Sequence, residues 1–242
     1  MAGVDGDDGG GGGVAAVDRA LALLAAISDR ADPHTLAELA SATGLYKSTI
    51  LRLMVTLERA GYARRLDDGR YALGPAAFRL GAAYERANPL RHHVVPLLDD
   101  LVAQGSESAS FHVANGPETR LCLFRVDSAH ATLDRIRAGD VLPLERGAAG
   151  RMLLAFSGAS GEAFERIRED AFALSTGERE PGCSGMATPV FGPDGNLAGA
   201  LSLSGPSDRF TDEAVALWRP RLEEAAHRAT REIGGPIGGR RP

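Results

Sequence analysis

The chain has 242 residues, of which 44% are hydrophobic, and a formal net charge of −5. That is enough for one large domain or two small ones around a real core. No apolar run reaches the ~18 residues of a membrane helix, and the opening MAGVDGDDGGGGG has neither the basic nor the apolar region of a secretory signal, so no membrane partner is expected. The two cysteines, Cys122 and Cys183, and the lack of CxxC or HExxH spacing give no metal or cofactor signal. The expectation is two free thiols in a cytoplasmic protein, with a Cys122–Cys183 disulfide as the alternative.

Residues 1–13, rich in Gly and Asp, bury too little to order themselves and read as a disordered tail. Residues 14–30 then place Val17, Leu21, Leu24 and Ile27 at helical spacing, closed by Asp32–Pro33. A second helix opens at Thr35, with Glu38 three residues on completing a capping box and Leu36, Leu39 and Ala40 as its apolar face. It stops at Gly44. A third helix runs from about Tyr46 to Ala60 and ends before Gly61. The spacing Ala40–Gly44–Ile50 is that of a helix-turn-helix: a small residue for close approach, glycine for the tight turn, and a branched residue for packing.

On the third helix, Ile50, Leu53, Met54 and Leu57 fall on one stripe and pack inward. Ser48, Arg52, Val55 and Arg59 fall opposite, Thr49 and Thr56 lie on one flank, and Lys47, the only lysine in the chain, stands at the amino end. Hydroxyls, guanidinium groups and a methyl-bearing side chain are what base edges and phosphates accept. The following YARRLDDGRYALG, 62–74, alternates Tyr62 and Leu66 with Tyr71 and Leu73 around Asp68–Gly69, the signal of a two-residue hairpin. Its Arg64, Arg65 and Arg70 make a basic wing. Residues 44–74 hold Lys47, Arg52, Arg59, Arg64, Arg65 and Arg70 against only Glu58, Asp67 and Asp68, a local basic patch in an acidic chain. A winged helix-turn-helix over 14–74 that binds a double-stranded DNA operator follows. Tyr46, Lys47, Ser48, Thr49, Arg52, Thr56, Arg64, Arg65 and Arg70 are its candidate contacts. Tyr46, where a capping residue is usual, is expected to reach the DNA backbone or the neighbouring helix.

Residues 75–88 read as a linker helix closed by Pro89, and 89–234 as a second domain of α+β class. Its expected elements are a helix over 90–103 with Val94, Leu97, Leu98 and Leu101 inward, and strands near 108–114, 119–127 and 132–137. A helix over 146–156, strands over 186–192 and 196–204, and a last helix from Thr211 to Ile233 follow, and residues 235–242 form a flexible tail. His92–His93 reads as surface. In LSLSGP, Ser202 and Ser204 alternate with leucines, so both hydroxyls share one sheet face. With Ala148, Ala149 and Gly150 opposite, they could line a small polar cavity.

Taken together, GLYKSTILRLMVTLERAGYARRLDDGRYALG, PLERGAAGRMLLAF and MATPVFGPDGNLAGALSLSGPSDRFT resemble the IclR family of bacterial transcriptional regulators, over roughly residues 14–234. The resemblance implies a winged-helix DNA reader, a linker helix and a GAF-like C-terminal domain that holds a small-molecule effector, often an organic or aromatic acid. It implies a homodimer or a dimer of dimers, acting as repressor or activator. It places the effector at the 202–204 strand and the GAAGR turn, with the loop EREPGCSG, 178–185, supplying Cys183, Ser184 and Gly185. The chain departs from the family pattern at Gly150–Arg151, where G-K is usual, at Glu145, where a histidine is usual, and at Arg179, which interrupts Glu178 and Glu180. Arg137, Arg151 and Arg179 become candidate partners of an anionic effector. Two other functions compete: an interaction or ligand-binding protein without sequence-specific DNA binding, and an enzyme with Cys183 or Ser204 as nucleophile and His112 or His130 as base.

Overall fold

A computed structural model of the chain describes residues 13–236. Residues 1–12 and 237–242, most of both expected tails, lie outside it. The chain divides into two compact units, at Ala87/Asn88.

In the first unit, α1 (Ala15–Ser28), α2 (Leu36–Thr43) and α3 (Lys47–Arg59) close around Leu23, Ile27, Leu39, Ile50, Met54 and Leu57. The capping box of α2 forms: the Glu38 amide donates to Thr35 Oγ1 at 3.2 Å, and the Thr35 amide donates to Glu38 Oε2 at 2.7 Å. Gly44 ends α2 in the left-handed region, φ 68°, and its amide returns to the Ala40 carbonyl at 3.0 Å. A side chain there would strain the turn. On α1, however, Val17 and Leu21 are exposed, and Leu23 and Ile27 carry the burial. The run is so rich in Ala and Leu that its periodicity has no single phase.

Strands β1 (Ala63–Arg65) and β2 (Tyr71–Leu73) pair antiparallel, Arg64 opposite Ala72. The turn is wider than the two-residue one expected. The Leu66 amide donates to the Arg70 carbonyl at 2.8 Å across Asp67–Asp68–Gly69, with Gly69 at φ 83°, a three-residue loop with glycine at the left-handed position. Ala63 and Tyr71 are the hairpin's buried residues, while Leu73 is exposed. Helix α4 (Pro75–Ala87) closes the unit and buries none of its residues.

The second unit is a six-stranded antiparallel sheet with helices on both faces. In chain order come α5 (Leu90–Ala103), β3 (Ser108–Asn115), β4 (Thr119–Val126), β5 (Val141–Pro143), α6 (Ala148–Phe156), α7 (Glu162–Asp170), β6 (Ala173–Thr176), β7 (Cys183–Phe191), β8 (Leu197–Pro206) and α8 (Asp212–Glu232). The strand order is β5-β4-β3-β8-β7-β6. Helices α5 and α8 cover one face, over Phe111, Phe124, Met186, Leu201 and Leu203, with Trp218 of α8 packed into this core. Helix α6 covers part of the other, over Ala173, Ala187 and Ala200.

Three expectations change. No strand forms over 132–137. Asp134 and Ile136 turn inward and Arg135 outward, so the side chains alternate, yet the backbone meets β4 only beyond this stretch, where Gly139, φ 97°, donates to the Cys122 carbonyl at 2.8 Å and the Cys122 amide donates to the Asp140 carbonyl at 2.9 Å. Cys183, Ser184 and Gly185 belong to strand β7 rather than to a loop. Helix α7 and strand β6 form between the elements read from the sequence.

Candidate functional site

The first unit presents a basic surface. Tyr46 is the N-cap of α3 but makes no side-chain cap, and the first turn holds no acidic residue. The unpaired first-turn amides and the positive helix end therefore stay uncompensated. Tyr46 is 84% exposed, so its ring does not pack on a neighbouring helix of this unit. Lys47, Ser48, Arg52, Val55, Thr56 and Arg59 are exposed and Thr49 is half-buried, because Ile50, Met54 and Leu57 fix the opposite stripe in the core. Lys47, Arg52, Arg59 and Arg64 form no ion pair among the described residues. On the hairpin, Arg65 lies over the Tyr71 ring at 5.9 Å. Arg70 pairs with Asp68 at 2.6 Å, and its hydrogen bonds hold the Asp68 carboxyl below the usual range.

The second unit holds a cavity between β3, β8 and β7 and the amino end of α6. It is lined by Ala148, Ala149, Cys183, Ser184, Gly185, Ser202 and Ser204, seven of the eight residues the sequence nominated, and also by His112, Arg120, Ser175 and Arg179. Ser110 faces Ser202 across β3 and β8, and Ser108 faces Ser204, so one sheet face is hydroxyl-rich. The Ala148 amide, opening α6, donates to Ser175 Oγ at 3.0 Å. The free volume is about 30 Å³, room for about two waters. Gly150 is the exception to the nomination. It does not line the cavity, and a Cβ there would overlap the Leu144 carbonyl oxygen and the Arg120 guanidinium. Its smallness serves packing under the cavity.

The charge of the cavity comes from a residue that sequence reasoning passed over. Arg120 is 2% exposed, and its guanidinium donates to the Pro143 carbonyl and, at 2.9 Å, to the Arg146 carbonyl. It meets no carboxylate, and its Nε has no partner. Burial, then the Arg179 charge, pushes it down to about 10, which still leaves it protonated at neutral pH. His112 is buried beside it with Nδ1 unpartnered. Burial, and then the charges of Arg120, Arg125 and Arg179, hold it well below 6.5, so it is neutral. The signal for Arg120 was the phase of TRLCLF: it shares its strand face with Cys122, which is fully buried.

Arg125 and Arg179 converge on Asp134. Arg125 bonds Asp134 directly and donates to Ser110 Oγ at 3.3 Å and Ser204 Oγ at 3.4 Å. Arg179 reaches the other Asp134 oxygen at 3.4 Å. Of the three arginines suggested for an anion, only Arg179 lines the cavity. Arg137 is exposed, and Arg151 pairs with Glu178 at 2.9 Å. Both cysteines are free thiols. Burial pushes Cys122 up to about 12 and raises Cys183 as well, so neither is an activated thiolate. His130 pairs with Glu107 at 3.5 Å and does not line the cavity. Among the described residues no cluster of His, Cys, Asp and Glu is built to hold a metal, and no helix is long and apolar enough to cross a membrane.

Comparison with known proteins bears on both units. The IclR helix-turn-helix domain model matches residues 16–67, and that of the bacterial transcriptional regulator IclR C-terminal domain matches residues 161–233. The HTH-type transcriptional regulator BhcR of Paracoccus denitrificans is 31% identical over 89% of this chain and 86% of its own length. An IclR transcriptional regulator from Alicyclobacillus acidocaldarius shares the fold, with a TM-score of 0.78 and 24% identity, over 92% of this chain and 100% of that one. An IclR homologue from Microbacterium hydrocarbonoxydans, solved in complex with 4-hydroxybenzoate, has a TM-score of 0.75 and 21% identity over 90% of this chain and 98% of its own. This chain belongs to the IclR family of transcriptional regulators, in which a helix-turn-helix DNA-binding domain precedes a C-terminal ligand-binding domain.

Proposed function

We propose that this regulator reads its operator with α3 and the β1–β2 wing, and that an organic or aromatic acid held in the second unit's cavity controls that binding. The observation that carries the effector class is Arg120, a buried guanidinium that faces a cavity and has only carbonyl acceptors. A buried charge without a counter-charge is costly unless something neutralises it, and a carboxylate entering from the cavity would do so. Ser202, Ser204 and His112 would orient the rest of the molecule. The 4-hydroxybenzoate bound by the Microbacterium homologue is an acid of this class.

On the DNA, Lys47, Ser48, Thr49, Arg52 and Thr56 would meet base edges and phosphates in the major groove. Tyr46, Arg64, Arg65 and Arg70 would meet the backbone. The chain would work as a homodimer or dimer of dimers in the cytoplasm. Support for self-association comes from apolar side chains that the first unit leaves uncovered among the described residues, Phe78 at 79% exposure and Leu80 on α4, and Val17 and Leu21 on α1. It would not be an enzyme: in the cavity Ser204 is hydrogen-bonded to a cation rather than a base, and Cys183 is held protonated.

A thermal-shift screen of small organic acids against their uncharged amides, repeated with duplexes from its own upstream DNA, tests the reading. At least one acid should raise the melting temperature while its amide does not, and should change the affinity for DNA. A screen in which acids and amides behave alike would remove the anion-effector reading.

A further inference from the structure

The cavity is too small for what it is proposed to hold. Its free volume of about 30 Å³ fits about two waters, less than a carboxylate with its carbon body. Some wall must move. The α6 wall is tied down by Gly150 packing on Leu144 and by the Ala148–Ser175 hydrogen bond, and β7 and β8 are central strands. The segment 127–140 is different. It carries no helix or strand, yet it supplies Ile136 to the cavity lining.

Its ends are tied through the backbone: the Ser128 amide donates to Ser108 Oγ at 3.0 Å, the Thr132 carbonyl accepts from Arg209 at 2.7 Å, and the Gly139 amide donates to the Cys122 carbonyl at 2.8 Å. The stretch that reaches the cavity, 133–136, is held by one buried, ion-paired side chain. The Asp134 side chain is 0% exposed, on a segment whose neighbours Arg135 and Leu133 are not buried. One of its oxygens is bonded by Arg125 and the other by Arg179. Arg125 in turn donates to Ser110 and Ser204, and Ser204 and Arg179 both line the cavity. So a carboxylate belonging to the protein already occupies one guanidinium group at the cavity wall, that of Arg179, and a second, that of Arg125, directly behind Ser204.

We infer that Asp134 is a built-in surrogate for the effector carboxylate: it latches residues 133–136 over the cavity through Arg125 and Arg179, and an entering acid, paired with Arg120, releases them by competing for the Arg179 guanidinium. This rests on the effector reading of the cavity. Such competition lowers the apparent affinity for the acid by the fraction of chains whose latch is open. It also gives the acid a differential affinity for two states of one segment, which ligand control of any distant event requires. Asp134 is a positioning residue here, acting through the two arginines.

The test uses the full chain, wild type and Asp134→Asn, with Asp127→Asn as control, since Asp127 is the exposed second partner of Arg125 at 2.6 Å. Calorimetric affinities are measured for acetate, glycolate, benzoate and 4-hydroxybenzoate, each against its amide. Hydrogen exchange of 133–136 is followed with and without acid. Asp134→Asn should bind an acid at least ~tenfold tighter, as expected for a latch open in about a tenth of chains or fewer. Its amide affinity should change less than twofold, and Asp127→Asn should match wild type. In wild type, saturating acid should speed exchange over 133–136, and in Asp134→Asn that exchange should be fast without acid. Should Asp134→Asn not fold, the wild-type exchange result decides alone. An acid that binds wild type while protecting 133–136, or an Asp134→Asn chain that binds it no tighter, overturns the latch and leaves the effector reading standing. Failure of every acid to bind either chain overturns both.

Discussion

Arg120 and Arg125 stand an odd number of residues apart on one strand and yet face the same side of the sheet. Phe111 pairs with Phe124 but His112 pairs with Cys122, so Leu123 is left without a partner in the register. That extra residue shifts the side-chain alternation by one. Arg125 therefore joins Arg120 and Cys122 on the cavity face, while Phe124 joins the α5–α8 core. Of the two, only Arg120 lacks a carboxylate. Arg120→Met removes a buried charge and leaves the Pro143 and Arg146 carbonyls a donor short. The lost hydrogen bonds cost about 1–3 kcal/mol, and removing an unpaired buried cation offsets part of that. Stability should change by no more than about 2 kcal/mol, while calorimetry should show affinity for the acid falling at least ~tenfold, the equivalent of ~1.4 kcal/mol.

Arg52 lies on the exposed face of α3 with no ion pair among the described residues, one turn from the helix start. Arg52→Ala should leave the fold intact, because nothing packs on that face. Discrimination between operator and scrambled duplex should shrink by about 1–3 kcal/mol, the value of one good base contact. Fluorescence anisotropy against both duplexes measures it, and normal discrimination in the variant would remove Arg52 from the recognition surface.

The wing arginines should differ from one another. Arg64 forms no ion pair among the described residues, whereas Arg70 is already bonded to Asp68 within its own turn. A phosphate that takes Arg64 meets an open cation, and one that takes Arg70 must displace a carboxylate. Arg64→Gln should therefore lower the slope of log affinity against log salt by about one. Arg70→Gln should lower it by less. Equal losses would mean that the Asp68–Arg70 pair opens on DNA.

How much of this was legible follows from where each determinant lies along the chain. Thr35–Glu38 and Gly44 were readable because caps and turns are decided within a few residues. Ser202 and Ser204 were readable because a strand's period of two is local as well. Arg120 was readable from its phase with Cys122, but arginine is so rarely buried that it was left outside. Arg125 was not readable: the slip opposite Phe111 depends on β3, a partner strand, and plain alternation puts the residue on the wrong face. Segment 127–140 misled because Asp134 and Ile136 alternate with Arg135 as a strand would, although their burial comes from an ion pair and a cavity wall. Helix α7 was missed because it buries only Ile167.

His112 gives the cavity a pH signature. It is neutral in the folded chain with a pKa held well below 6.5 by burial, whereas in the unfolded chain it titrates near its ordinary value. Below about pH 6.5 the unfolded state takes up a proton that the folded state refuses, so wild type loses stability as pH falls. His112→Gln lacks that proton. The stability of wild type relative to the variant should decline between pH 7 and 5 by up to about 1.4 kcal/mol per unit. Denaturation followed by the fluorescence of Trp218 reads this cleanly. Trp218 is the only tryptophan and lies in the second unit's core. A constant difference across that range would mean that His112 takes up its proton as readily in the folded chain as in the unfolded one.

Gly150 separates packing from ligand contact. If it touched the effector, as the family resemblance suggested, Gly150→Ala would lower affinity and leave stability alone. In the structure its α-carbon instead faces the Leu144 carbonyl and the Arg120 guanidinium, with no space for a methyl group. The nearest atom, the Leu144 carbonyl oxygen, is backbone and must shift at the α6 start, and the Arg120 guanidinium must move as well. Overpacking of this kind costs about 1–3 kcal/mol. Gly150→Ala should thus shift the Trp218 unfolding midpoint by that amount and, by displacing Arg120, also weaken acid binding. Loss of affinity at unchanged stability would return Gly150 to the ligand.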